Sequence, residues 1–314
     1  MSVVDIIIVN WNAGSLLRDC VRSIGETGQV GFEFGQVVIV DNGSTDGSLD
    51  GLASPTLPLK IICNTENKGF AAACNQGAQG SRADYLLFLN PDTRLFADSL
   101  FVPLAFMESG QNQSVGICGI QLLDDKGRVS RSCARFPTPR LLYGWMLGLD
   151  KLLPQLFPSH LMLEWGHDTS REVDQVIGAF FMVRGRLFHQ LNGFDERFFV
   201  YQEEVDFSLR AHRLGWQSYY LAQAKAYHKG GGLSGQVKAR RLFYSLRSRI
   251  LYGYKHFGRV QATAVLLSTL LLEPFARVTL SLLQNSFKST GETLSAYLML
   301  YEELPALILR AWKK

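Results

Sequence analysis

The sequence predicts an α/β fold built on a mostly parallel sheet flanked by helices. Three observations carry that prediction. Short apolar runs rich in β-branched residues recur through the first part of the chain, helix-like segments separate them, and each run ends in a polar cluster. A predominantly apolar run of about four to eight residues marks a strand buried on both faces, and strands that alternate with helices belong to a parallel sheet covered on both sides.

The first run is Val3 to Val9 (VVDIIIV), followed by a helix-like segment from Ser15 to Ile24. The second, Val37 to Val40, leads to a helix-like Asp46 to Leu52, and the third, Leu59 to Ile62, to Lys68 to Gly80. The fourth, Tyr85 to Leu89, runs directly into Asn90, Pro91 and Asp92. Residues 1–125 therefore read as a Rossmann-like half. After the turn cluster Asp124 to Gly127 the pattern loosens through Pro137, Pro139, Pro154 and Pro158, which predicts an inserted, partly helical region. Regular structure resumes with VDQVIGAFFMVRG, Val173 to Gly185, and with an acid-headed helix, Glu203 to Gly215. Residues 126–235 form a second half on this reading, and 236–314 a helical extension.

In that extension KARRLFYSLRSRILYGYKHFGR interleaves cations with aromatic and aliphatic residues. The longest nearly uncharged stretch, Val260 to Leu272, is too short to span a bilayer and ends at Glu273-Pro274. Two readings stay open, a helical hairpin packed on the domain and a set of helices lying in the membrane interface.

Length and 47% hydrophobic content exclude disorder, and a net charge of +4 without a dense basic block in the first half excludes nucleic acid as the expected partner. An anionic substrate or a membrane surface remains. Five scattered cysteines with no CxxC pair read as reduced thiols rather than zinc ligands. MSVVDIIIVNWN has neither a basic n-region nor a cleavage site, so the expected location is the cytosol.

Four polar segments follow the four strands: VNWNAGS, VDNGSTDGS, NTENKGFAAACNQG and NPDT. In a parallel sheet these open on one edge and line one crevice. A tight turn together with a helix N-cap is a sufficient structural explanation for Ser44 and Asp46. Asn90-Pro91-Asp92 reads either as a turn or as a carboxylate presented at a strand end. Asn67 to Ala71 places Gly69 and small residues at a helix start, where phosphate is favoured.

Taken together with GAFFMVRGRLFHQLNGFDERFFVYQEEVDFSLRAHRLGW and YHKGGGLSG, these motifs resemble glycosyltransferase family 2, with its GT-A fold, and within it the rhamnosyltransferase-like branch that builds cell-surface polysaccharides. The resemblance covers Val3 to Gly235. It implies a GT-A mixed, mostly parallel sheet and an inverting transfer from a nucleotide-diphosphate sugar, dTDP-rhamnose by resemblance, to a saccharide or lipid-linked saccharide acceptor. Carried over residue by residue, Asn10 and Asn12 meet the nucleotide and Asp41 its base. Asn67 and Gly69 line the donor pocket. Asn90-Pro91-Asp92 stands where the family has Asp-x-Asp, with Asn replacing the first acid. Asp92 then ligates Mg²⁺ or Mn²⁺, and His228 completes the shell. Glu204 stands in the position of the catalytic base, where Asp is the commoner residue, with Glu203 and Asp206 as neighbours that can be confused with it. Lys229 and Arg247 are weaker phosphate candidates, Trp11 is close enough in sequence to touch donor, and GGGLSG has the composition of a lid. The departures at Asn90 and Glu204 keep open a donor-binding scaffold without catalysis. A sugar nucleotidyltransferase is a further alternative, against which the start of the chain lacks a Gly-rich basic phosphate loop.

Overall fold

The computed structural model describes residues 1–54, 56–230 and 238–312, without the side chain of Trp312. Along the chain run β1 (Ser2–Asn10), α1 (Ser15–Glu26), β2 (Phe32–Asp41), β3 (Leu59–Cys63), α2 (Phe70–Ala78), β4 (Tyr85–Leu89), β5 (Thr93–Leu95) and α3 (Phe101–Glu108). There follow β6 (Val115–Leu123), β7 (Val129–Ser130), β8 (Cys133–Ala134), α4 (Pro139–Met146), α5 (Leu149–Leu152), β9 (Arg171–Val173), β10 (Gln175–Val176) and β11 (Phe180–Arg184). The remainder is α6 (Gly185–Gln190), α7 (Glu203–Arg213), β12 (Gln217–His228), α8 (Lys238–His256), α9 (Arg259–Leu271), α10 (Glu273–Leu283) and α11 (Phe287–Trp312). Two compact units result: residues 1–135, 163–196 and 203–232 make the first, and 136–162, 197–202 and 233–314 the second.

The first unit is built on a sheet in the order β3-β2-β1-β4-β11-β6-β12-β5. β1 to β4 are mutually parallel, which puts the ends of the four predicted strands on one edge. β11 enters antiparallel between β4 and β6, so the sheet is mixed, and β12 runs parallel to β6. Ile6, Ile8, Ile39, Val40, Leu86 and Leu87 are fully buried, the price in sequence being the near-absence of polar residues within the strands. α1 contributes Leu17, Cys20, Val21 and Ile24 from one stripe. Behind β11, Phe88, Phe181, Phe188, Phe194 and Phe207 form one ring cluster that fastens α6 and α7 to the sheet. Arg184, buried at the end of β11, donates to the carbonyls of Val115 and Met107 and to the Tyr85 hydroxyl.

The expected helix from Asp46 to Leu52 is a pair of turns instead. Gly47 and Gly51 hold φ of 70° and 66°, a conformation no right-handed helix contains. Of the five cysteines, all free, Cys63 is exposed at the end of β3 and the other four are buried.

In the second unit α8 and α9 form an antiparallel hairpin joined at Phe257-Gly258, with α10 and α11 packed beside it. Thr138 caps α4 through the Leu141 amide, and Pro139 occupies its first turn. Pro274 does not end the apolar run as the sequence suggested. It occupies the first turn of α10, where a missing N–H costs nothing, so residues 259–283 continue as one apolar stretch of 25 residues that contains an 18-residue window of mean hydropathy 1.5. By length and composition that stretch can cross a membrane, and a third of the apolar window within it is buried in the protein.

Candidate active site

The parallel register sets Asn10, the last residue of β1, beside Asp41, the last of β2. The Asn10 amide donates to Asp41 Oδ1 at 2.6 Å, Ser48 Oγ at 2.7 Å and Ser44 Oγ at 3.0 Å. Ser44 in turn donates to Asp41 Oδ1 and receives the Asn12 amide N–H at 2.9 Å. Asn12, at φ 55°, accepts the Thr45 N–H at 2.8 Å. Ser44 and Asp46 therefore tie loops together instead of capping a helix: Asp46 accepts the N–H groups of Gly14 and Ser48. Those bonds offset its slight burial and hold its pKa below the ordinary value. Asn10 is fully buried, and its amide oxygen has no hydrogen-bond partner. An acceptor left unsatisfied in a buried loop edge is costly unless a ligand completes it.

Next along this edge, Gly69 opens α2 at φ 91°, and its N–H donates to Asn67 Oδ1 at 2.9 Å. Asn42 donates to the Gly69 carbonyl and to Asn67, while Asn64 links Asn42 to Gln76. This amide chain was not legible as functional from the sequence. Its only signal is amides at consecutive strand ends, and the register alone joins them.

Asp92 and His228, 136 positions apart, meet because β5 pairs antiparallel with β12 and sets His228 opposite Thr93. His228 Nε2 lies 3.3 Å from Asp92 Oδ1, and the Lys229 N–H donates to the Asp92 carbonyl. The turn beneath is anchored by Asn90, whose N–H donates to the Ala179 carbonyl and whose own carbonyl accepts the Thr93 N–H. Buried Cys20 donates to the same Asn90 carbonyl, and burial, followed by the Asp92 charge, pushes its thiol well up. Among the described residues no three His, Cys, Asp or Glu side chains gather to hold a metal alone. One carboxylate and one imidazole suit an ion whose other ligands come from a diphosphate, as Mg²⁺ commonly arranges.

α7 begins with Glu203 and Glu204. Glu203 is buried and Glu204 half-buried, and the Oε2 atom of each is shut from solvent without a partner. Burial pushes both carboxyls up, with the Glu204 charge adding to the rise at Glu203. Burial, then these two acids, also raises the Cys74 thiol of α2, which places α2 and the start of α7 together. Asp206 differs: fully buried, it accepts Arg210 Nε at 2.8 Å, and Arg210 donates on to the carbonyls of Leu191 and Gly193. Its role is to fix the turn that precedes the helix. Exposed Lys229 adjoins His228, and Trp11 is half-buried beside Asn10. Arg247 lies in the second unit, buried, with its guanidinium held by Glu303 at 3.0 Å and by the Arg197 carbonyl. Of GGGLSG, Gly231 to Gly235 lie outside the described residues.

Residues 5–156 match the model of the family described as Glycosyl transferase family 2. The chain is 26% identical over 233 residues to an N-acetylglucosaminyl-diphospho-decaprenol L-rhamnosyltransferase of Mycobacterium tuberculosis, covering 69% of this chain and 73% of that one. It is 29% identical over 150 residues to rhamnosyltransferase WbbL of Escherichia coli, covering 46% and 52%. Its fold resembles that of a mannosyltransferase from Pyrobaculum calidifontis solved with GDP-Man and Mn²⁺, with TM-score 0.54 and 16% identity over 99% of this chain and 87% of that one. The parallel strand ends, the pairing of β5 with β12 and the match over residues 5–156 agree: that part of the chain belongs to glycosyltransferase family 2, and the protein is a rhamnosyltransferase-like glycosyltransferase with the GT-A fold.

Proposed function

We propose that the protein transfers a sugar from a nucleotide-diphosphate donor, rhamnose from dTDP-rhamnose, to a lipid-linked saccharide at the cytoplasmic face of the membrane, with inversion at the anomeric carbon. The observation that carries this reading is the pairing of Asp92 with His228, since it turns two distant motifs into one two-donor site. The rhamnosyltransferase relatives support the donor, and the M. tuberculosis relative's lipid-linked substrate supports the acceptor.

On this reading residues 1–125 hold the donor. Asp41 and the unsatisfied Asn10 oxygen receive N–H groups of the base, and Asn12 shapes the loop around it. Asn67, Gly69 and Asn90 line the sugar-diphosphate path, where Gly69 permits close approach. Asp92 and His228 hold the divalent ion, Mg²⁺ or Mn²⁺, with Lys229 beside them. When bound, the ion neutralises the diphosphate and eases its departure. Residues 126–235 present the acceptor. Glu204 takes the proton of the attacking hydroxyl as that oxygen bonds to the anomeric carbon, and the bond to the diphosphate breaks with its electron pair leaving on phosphate. A carboxylate raised by burial is a better base for a hydroxyl than an exposed one.

Calorimetry of the full chain against dTDP-rhamnose, UDP-GlcNAc and GDP-mannose, with Mn²⁺ and then with chelator, tests this. Metal-dependent binding of dTDP-rhamnose alone is expected. Binding of another donor replaces the sugar, and no binding to folded protein with metal present removes the function.

A further inference from the structure

Among the described residues, the second unit presents an apolar surface that no element of it covers. On α9 the face carrying Ala262, Val265, Leu266, Thr269 and Leu270 is buried, as an amphipathic helix requires. The opposite face should be polar and is not. Val260, Leu267, Leu271 and Phe275, spaced by seven and four residues, stand 50–84% exposed, and Leu283 and Phe287 continue the surface at 77% and 78%. A helix apolar on both faces has a second partner besides its own domain.

Charge identifies that partner. α8 to α10 contain eight Lys or Arg and a single acid, Glu273, more positive charge than the whole chain's net +4. The acid is withdrawn from the surface. Glu273 is 2% exposed and clasped by Arg249 and by Arg277, which reaches Oε1 at 2.8 Å. Burial alone would raise its pKa, but the two guanidinium groups hold it below the ordinary value. Trp145 packs under both, 5.5 Å from Arg249 and 5.2 Å from Arg277. Lys238, Arg240, Arg241 and Arg259 are exposed. Residues 238–283 therefore offer exposed hydrocarbon and exposed cations with no exposed anion among them, the complement of an anionic lipid interface.

The same cluster decides how the helices meet lipid. A 25-residue rod is about 37 Å long, enough to cross the ~30 Å hydrocarbon core. Crossing would carry Glu273, Arg277 and the attached Arg249 into hydrocarbon and strip the buried face of α9 from its packing. Lying in the plane needs neither. We infer that α9 and α10 form an in-plane keel that seats the chain on an anionic bilayer by the Val260, Leu267, Leu271 and Phe275 face. The inference deepens the membrane-linked acceptor reading and rests on it for its purpose.

The test is sedimentation of the full chain with phosphatidylcholine vesicles and with vesicles that also contain phosphatidylglycerol. The parent is expected to pellet with the anionic vesicles only and to be released by alkaline carbonate. A Leu267→Ser, Leu271→Ser, Phe275→Ser variant should lose at least about tenfold in partition while melting like the parent. A Lys238→Gln, Arg240→Gln, Arg241→Gln variant should lose the preference for anionic lipid. Unchanged partition of the serine variant, retention after carbonate, or a parent dimer that dissociates in the serine variant and never pellets would each overturn the keel. Calorimetry with dTDP-rhamnose on the same samples separates the two readings. Vesicle binding without donor binding overturns the donor assignment alone, and donor binding without vesicle binding overturns the keel alone.

Discussion

In the first unit β4 hides five consecutive side chains, Tyr85 to Leu89, each at most 1% exposed, and then delivers a polar turn to the sheet edge. In the second unit α9 hides one apolar face and leaves another in solvent, while the charges of Glu273 and Arg249 are the groups withdrawn. The contrast shows what each unit is built to meet. A unit that hides its apolar side chains and gathers unsatisfied polar atoms at one edge suits a polar, charged ligand. A unit that pairs its buried charges and exposes leucine and phenylalanine suits an apolar one.

The sharpest way to break the comparison lies at Glu204. If its carboxyl, with Oε2 unpartnered, is the base, Glu204→Gln keeps the shape and removes proton acceptance, so turnover should fall about a hundred- to ten-thousand-fold with donor affinity unchanged. Single-turnover assays with calorimetry on the same preparation check this. A variant as active as the parent would show that the orphaned oxygen is structural. Below that in effect stands Asp92. Asp92→Ala should cost about a hundredfold in turnover and abolish the response of donor affinity to chelator. An unaltered chelator response would move the metal away from the Asp92–His228 pair.

Much of the first unit's edge was legible because strands buried on both faces leave no choice of residue. Tyr85 to Leu89 could be placed to the residue, and so could the polar ends of β1 to β4. The site between those ends was legible only in part. The clamp of Asn10 on Asp41, Ser44 and Ser48 depends on the β1–β2 register, and that of Asp92 with His228 on a strand pair 136 residues apart. Neither is a local property. Gly47 and Gly51 defeated the helix reading after β2 because positive φ outweighs the polar pattern around it. In the second unit the periodicity of 259–283 marked a helix but not its outer face, since both faces are apolar and only packing distinguishes them.

Glu203 sharpens the same contrast through stability. Its carboxyl, pushed above the usual carboxylate range by burial and then by the Glu204 charge, holds its proton to higher pH in the folded chain than an unfolded Glu, which loses it near pH 4.3. Folding therefore takes up a proton, and the stability this group permits declines as pH rises above that unfolded value. Glu203→Gln mimics the protonated acid. The melting temperature should rise by a few degrees at pH 7 and stay level near pH 4. A drop at pH 7 would mean that Glu203 is ionised and held by an attraction yet to be identified, and the role of base would then have to be contested between the two acids.

The smallest effect is the one that divides the faces of α9. Leu266 and Leu267 are neighbours of identical chemistry, 6% and 50% exposed. Leu266→Ala removes a packed side chain and leaves a cavity, so it should cost about 2–4 kcal/mol in denaturant unfolding. Leu267→Ala trims a side chain that is half in solvent and should cost clearly less, within about 1 kcal/mol of the parent. If both cost the same, the outer face is covered in the isolated chain, by a second copy or by another part of it, and the surface is not open to lipid. If Leu267 is neutral in stability while its replacement weakens vesicle binding, then its apolar character is maintained for something other than folding. That would separate, at adjacent residues, the leucine that holds the unit together from the leucine that docks it.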